Sequence, residues 1–250
     1  MPGALVVALA ATGVASADEG GTTIATAPTL VFGQPQDGIG GANIGNMFTG
    51  GHNFWRIRVF AGDAITGAGS VASANGCGTN QVALYDPSVT DATLPGTTAV
   101  FHSGGLFQGS CSSLRFGWKW THVPFTGLGT LWMGISSEAP TFTFTAGVSH
   151  RTAVLIAPVS RRVASPRTKV NLRASVTSVA GKPSGLCAFD RRARGQKRWR
   201  QVRRVVLSAS GSCRSRVAAG AAGSIQFRVR FVPDPGWLSS SATTRHVLVR

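Results

Sequence analysis

Eight basic residues fall within fourteen positions: Arg191, Arg192, Arg194, Lys197, Arg198, Arg200, Arg203 and Arg204. Guanidinium groups bind carboxylates and phosphates through paired N–H donors, so this density predicts multidentate capture of a polyanion. Such binding weakens as salt rises. A charged, solvated hairpin is the plainer use of the same residues. Trp199 lies inside the run, and with Val202 and Val206 it has helical spacing. A basic amphipathic helix over residues 196–208 would suit a membrane or a DNA groove. The strand reading is preferred, because the segments on both sides need a sheet partner. It carries a change of parity near Arg203, which requires a bulge or bend, and it puts Trp199 in or beside the core.

Aromatic residues offer a second chemistry. Trp118, Trp120 and Trp132, with Phe116 and Phe125, could form a sugar-stacking platform, since Trp118 and Trp120 share one face of a strand. The same spacing serves a sandwich core. His102, Ser103 and Asp63 or Asp86 could be drafted into a triad, but no Gly-x-Ser-x-Gly elbow surrounds a serine. Asp37, Asp63 and Asp86 could meet a calcium ion at turns, yet no Asp-x-Asp-x-Asp run accompanies them. No phosphate-cradling loop of the Gly-x-x-x-x-Gly-Lys-Ser/Thr type is present. Neither a cofactor nor enzymatic chemistry is expected.

These side chains need a scaffold of strands. Hydrophobic residues make up 43% of the 250 residues, charge is sparse at 14%, and 32 residues are glycine, a composition of short strands joined by turns. The formal charge of +16 is unevenly placed. Residues 1–150 carry four Lys/Arg against seven Asp/Glu, whereas residues 151–250 carry 21 Lys/Arg against Asp190 and Asp234 alone. Two modules with different surfaces follow from that asymmetry.

Residues 1–17 read as a secretory signal peptide: an apolar run followed by Ala15-Ser16-Ala17, although no Lys or Arg precedes it. It is too short for a membrane span, and no second span is expected. Export makes disulfides plausible. The four cysteines fall two per module, and local pairing, Cys77 with Cys111 and Cys187 with Cys213, is the simplest of three connectivities.

Residues 18–28 read as a flexible leader and residues 29–148 as the first module. In residues 54–61, Trp55, Ile57 and Val59 alternate with Arg56 and Arg58. Gly62-Asp63 is a turn signal, and residues 64–67 could begin the returning strand of a hairpin. Further strands are expected at 81–85, 97–102, 114–120, 129–135 and 141–148. Residues 149–152 form the junction. In the second module, 152–250, strands are expected at 153–157, 170–176, 186–189, 212–217, 225–232 and 246–250. Within 225–231, Ile225, Phe227, Val229 and Phe231 alternate with Gln226, Arg228 and Arg230, which gives one apolar and one cationic face. The expected fold is all-β, with two β-sandwich domains.

Phe54-Trp55-Arg56-Ile57-Arg58-Val59-Phe60-Ala61-Gly62-Asp63 resembles the opening hairpin of bacterial pre-peptidase C-terminal domains. Val82-Ala83-Leu84-Tyr85-Asp86-Pro87 resembles their central strand. The resemblance implies a jelly-roll-like accessory module of the kind found beside secreted proteases and other exported enzymes. The insertion at 67–79, with Cys77, departs from the pattern. Residues 187–189, the Gly195-x-x-x-Trp199 hairpin, Phe227-Arg228-Val229-Arg230-Phe231 and residues 237–241 resemble bacterial Ig-like repeat domains of exported proteins. That implies a spacer, adhesion or display module with no catalytic residue. The expectation is a secreted or cell-surface binding, adhesion or scaffold protein that meets anionic cell-wall or surface polymers. The alternatives are a glycan-binding accessory module working with a secreted hydrolase, and a nucleic-acid-binding protein.

Overall fold

The computed structural model describes residues 18–39, 53–71, 79–94, 97–106, 114–136 and 141–250. Their regular structure is almost entirely strand. In chain order these are β1 (Asp18–Glu19), β2 (Pro35–Ile39), β3 (Phe54–Val59), β4 (Ala64–Val71), β5 (Thr79–Tyr85), β6 (Phe101–Leu106), β7 (Leu114–Trp120), β8 (Gly127–Ser136) and β9 (Thr141–Ser149). There follow β10 (Ala153–Ile156), β11 (Arg162–Val163), β12 (Lys169–Thr177), β13 (Gly185–Ala193), β14 (Arg200–Val206), β15 (Ser212–Ala218), β16 (Gly223–Pro233), β17 (Ser240–Thr243) and β18 (Val247–Val249).

Two sheets, ordered β1-β2-β9-β4-β7 and β3-β8-β5-β6, face each other in the N-terminal sandwich. Trp55, Ile57 and Val59 of β3 point inward, as the alternation predicts, and meet Phe116, Trp118, Trp120, Phe142 and Phe144 of the opposing sheet. Burying side chains of this size stabilises by about 1.5–3 kcal/mol each, so they dominate the fold. Trp118 lies across Gly67, where an added Cβ would come within 2.0 Å of the indole ring.

The fold departs from the expected pattern at two places. β3 and β4 are not a hairpin: β3 pairs with β8, and β4 pairs with β7 and β9 in the other sheet. The Gly62-Asp63 turn therefore crosses between layers, and the buried Asp63 carboxylate fastens it by accepting from the Phe60 N–H at 2.9 Å. Residues 18–28 are not a loose leader. Ile24 and Ala27 are buried with Phe54, Ala83, Tyr85 and Trp132, on the face of the β3-β8-β5-β6 sheet that points away from the main core. Asp91 accepts the Ile24 and Ala25 N–H groups and ties the segment to the 89–94 loop.

The C-terminal sandwich packs the sheet β10-β12-β15 against β11-β18-β16-β13-β14, with β17 added beside β16. Val170, Leu172, Ala174 and Val176 from one sheet interleave with Phe189, Ile225, Phe227, Val229 and Phe231 from the other. Cys187 of β13 and Cys213 of β15 join the two layers as a disulfide, with Cα atoms 6.4 Å apart. Cys77 and Cys111 lie outside the described residues, as does the expected signal segment. Among the described residues, no helix is long and apolar enough to cross a membrane.

The junction is pinned. The Asp63 carboxylate accepts the Arg151 N–H at 3.1 Å and sits 2.9 Å from His150 Nδ1. The His150 ring packs beside Phe60 and Trp237, and its backbone bonds Gly236 and Leu238 in the connection between β16 and β17.

Candidate polyanion interface

The strand period sorts the basic residues. On β13 the odd positions Cys187 and Phe189 enter the core, so Asp190 and Arg192 face outward. β16 lies antiparallel, with Asp190 opposite Arg228 and Ala188 opposite Arg230. β14 flanks the other side, and its register slips between Phe189 and Asp190: Phe189 faces Arg203, but Asp190 faces Gln201. Val202 is the extra residue, which is the bulge that the parity change predicts.

Asp190 is the anchor of this face, with its side chain only 1% exposed. Its Oδ2 accepts from Arg228 Nε at 2.9 Å and Nη2 at 2.8 Å, and from Arg230 Nε at 2.7 Å. Burial opposes ionisation, but the hydrogen bonds and charges of Arg230 and Arg228 outweigh it and hold the carboxyl below its usual range. The same contact pushes the Arg230 guanidinium up. Gln201 Oε1 accepts from Arg204 Nε at 3.2 Å and receives a long contact from Arg230 Nη2 at 3.4 Å, which orders that edge.

Trp199 completes the face. Arg192 and Arg228 place their guanidinium carbons 4.5 and 4.6 Å from its ring centroid. Arg192 Nη2 also donates to Gln226 Oε1 at 2.9 Å. Trp199 is thus part of the cationic surface and not of the core, contrary to expectation. The reason is that 194–199 is the connection between two strands, where the alternation that would turn it inward is interrupted.

The eight predicted residues do not form one patch. Arg192 and Arg204 share the outer face with Asp190. Arg194, Lys197 and Arg198 are exposed in the connection. Arg191 belongs to the opposite side: its Nη1 donates to the Ala218 carbonyl at 2.8 Å, over Gly220, where any Cβ would overlap the guanidinium. Arg200 and Arg203 stand opposite Arg191 and Phe189 in the register, so they too leave the outer face. Arg228 and Arg230 join it instead. The alternation of 225–231 marks them as outward, but only the pairing of β13 with β16 reveals that they converge on Asp190. Of the 21 Lys and Arg side chains in residues 151–250, only Arg228 and Arg230 are in ion pairs among the described residues, which leaves 19 without one.

The other candidates are dispersed or buried. Trp118 and Trp120 are each 6% exposed in the main N-terminal core, and Trp132 is 3% exposed behind the β3-β8-β5-β6 sheet. No sugar face exists there, because the shared strand face of Trp118 and Trp120 is the inward one. Asp63 is engaged by His150 and backbone N–H groups, Asp37 by Thr143 and Asp86 by Ser88. The three carboxylates therefore serve separate turns and edges. The segment holding Trp199 is turn and strand, so it presents no helix to a DNA groove.

No family model matches the chain, and no curated protein matches it. Among solved structures, the glycoside hydrolase domain of Endo-D from Streptococcus pneumoniae aligns with 78% of this chain at 8% identity and a TM-score of 0.25. A putative beta-galactosidase from Bacteroides fragilis aligns with 79% at 11% identity and the same score, 0.25. This chain spans only 30% and 32% of the length of those two chains. Likeness at that level carries no argument about fold or activity.

Proposed function

We propose that this is an exported, non-enzymatic binding protein whose C-terminal sandwich holds anionic surface polymers. The observation that carries the reading is the imbalance of that sandwich, in which 19 cationic side chains have no carboxylate partner among the described residues and the one deeply buried acid is already saturated. A surface of that kind attracts polyanions over a Debye length and releases them as salt screens it. The contact surface is the connection carrying Arg194, Lys197 and Arg198, backed by Arg192 stacked on Trp199. Asp190 prevents Arg228 and Arg230 from collapsing elsewhere and fixes the ring against which Arg192 lies. The inter-sheet disulfide and the signal-like residues 1–17 support an oxidising, extracytoplasmic setting.

The test is binding to an immobilised sulfated or carboxylated polysaccharide at low and high ionic strength. Wild type should bind at low salt and elute well before about 1 M, where the Debye length is ~3 Å. Reversing the exposed charges with Arg194→Glu, Lys197→Glu and Arg198→Glu should lower the eluting salt markedly. Retention that ignores both salt and these substitutions would refute the reading.

A further inference from the structure

The sheet on the far side of the core carries its own arginine ladder. β12 and β15 pair so that Arg173 stands directly opposite Arg214, and Asn171 opposite Arg216. Leu172, Ala174, Cys213 and Val217 point into the core, so these four side chains face outward and are exposed. Arg203 reaches the same place from β14. Together they line a shallow groove of about 400 Å³ with no acidic residue in its wall. None of the four guanidinium groups has a hydrogen bond or ion pair among the described residues, in contrast to Arg228 and Arg230 on the opposite sheet.

Like charges directly opposite on neighbouring strands destabilise a sheet. The Arg173–Arg214 pair is therefore a local cost that the isolated chain leaves unrelieved. An oxyanion between the two would relieve it, and paired N–H donors suit sulfate and carboxylate oxygens. The backbone beneath is rigid, because the Cys213 disulfide immediately precedes Arg214 and ties β15 to β13.

We infer that this groove is a second binding site for sulfate or carboxylate groups of an anionic polysaccharide. Resting on the function proposed above, the two sites lie back to back across the core, so one molecule bridges two polymer chains. Two weak sites on opposite faces convert into strong retention on a dense polymer layer through effective concentration.

The experiment uses the full chain and two probes: a heparin-derived hexasaccharide for stoichiometry by calorimetry, and long dextran sulfate for bridging by light scattering. Wild type should bind two hexasaccharides and give a scattering maximum near charge balance. The triple variant Arg173→Gln, Arg214→Gln, Arg216→Gln should bind one, lose most of the scattering, and melt at the same or a higher temperature, since it relieves repulsion. A wild-type stoichiometry of one, or a triple variant that still binds two, overturns the inference. Failure of the proposed function reads differently: there the Arg194/Lys197/Arg198 charge reversal leaves hexasaccharide binding unchanged.

Discussion

Asp190 and Arg228 face each other across β13 and β16, and one carboxylate oxygen of Asp190 accepts both Nε and Nη2 of Arg228 at 2.9 and 2.8 Å. The pair fixes the guanidinium, whose carbon lies 4.6 Å from the centroid of the Trp199 ring. A buried carboxylate bonded by two arginines thus organises the cationic face while neutralising little of it.

Acid stability follows from that pair. The folded pKa of Asp190 lies below its unfolded value of about 3.9, so its stabilisation is complete above that pH and is lost as the pH falls through the folded value. Asp190→Asn should cost about 1–3 kcal/mol at neutral pH, because hydrogen bonds to charged groups are lost. It should also flatten the decline in stability below about pH 4. Denaturant titrations of both proteins across that range check the sign.

Trp120 tests whether the N-terminal aromatics are core or contact surface. Burial against Phe101 and Trp118 predicts that Trp120→Ala costs about 3–5 kcal/mol. Polysaccharide binding by the C-terminal sandwich should persist wherever the variant remains folded. Loss of binding with an unchanged Tm would show that the ring contacts ligand.

The Cys187–Cys213 crosslink closes a separation of 26 residues. Replacing both residues with Ala should lower stability by about 3–4 kcal/mol through loop entropy. Unfolding followed by denaturant should show the loss in the C-terminal sandwich.

At the junction, Asp63 accepts from the Phe60 and Arg151 N–H groups and contacts His150. Asp63→Ala removes the shared acceptor of two partly buried N–H groups, a loss of about 1–3 kcal/mol in all. Limited proteolysis should then cut faster near residues 149–152, yielding fragments that separate at the point where the charge balance changes. An unchanged cleavage pattern would show that the sandwiches are held by other contacts.

The alternation of apolar residues made most strands legible: Trp55, Ile57 and Val59 point inward as expected, and so do the apolar positions of β12 and β16. β2 escaped because Pro35-Gln36-Asp37-Gly38 has no apolar period; its place is set by pairing with β9. The crossing from β3 to β4 is hidden for the same reason, since a Gly-Asp turn looks alike whether the chain doubles back or crosses between sheets. The site was half legible. Charge density pointed to the β13–β14 hairpin, but a count along the chain cannot divide Arg191 from Arg192 without knowing which face each strand position takes. Arg228 and Arg230 meet Asp190 across 38 and 40 residues, and register at that distance is a tertiary property.

The most direct measurement is the salt dependence of polysaccharide affinity for wild type and for the Arg194→Glu, Lys197→Glu, Arg198→Glu variant. Log K should fall steadily with log salt, as counterion release requires, and the variant should be both weaker and less steep. Affinity that is flat with salt, or a slope that the three reversals leave unchanged, would contradict it.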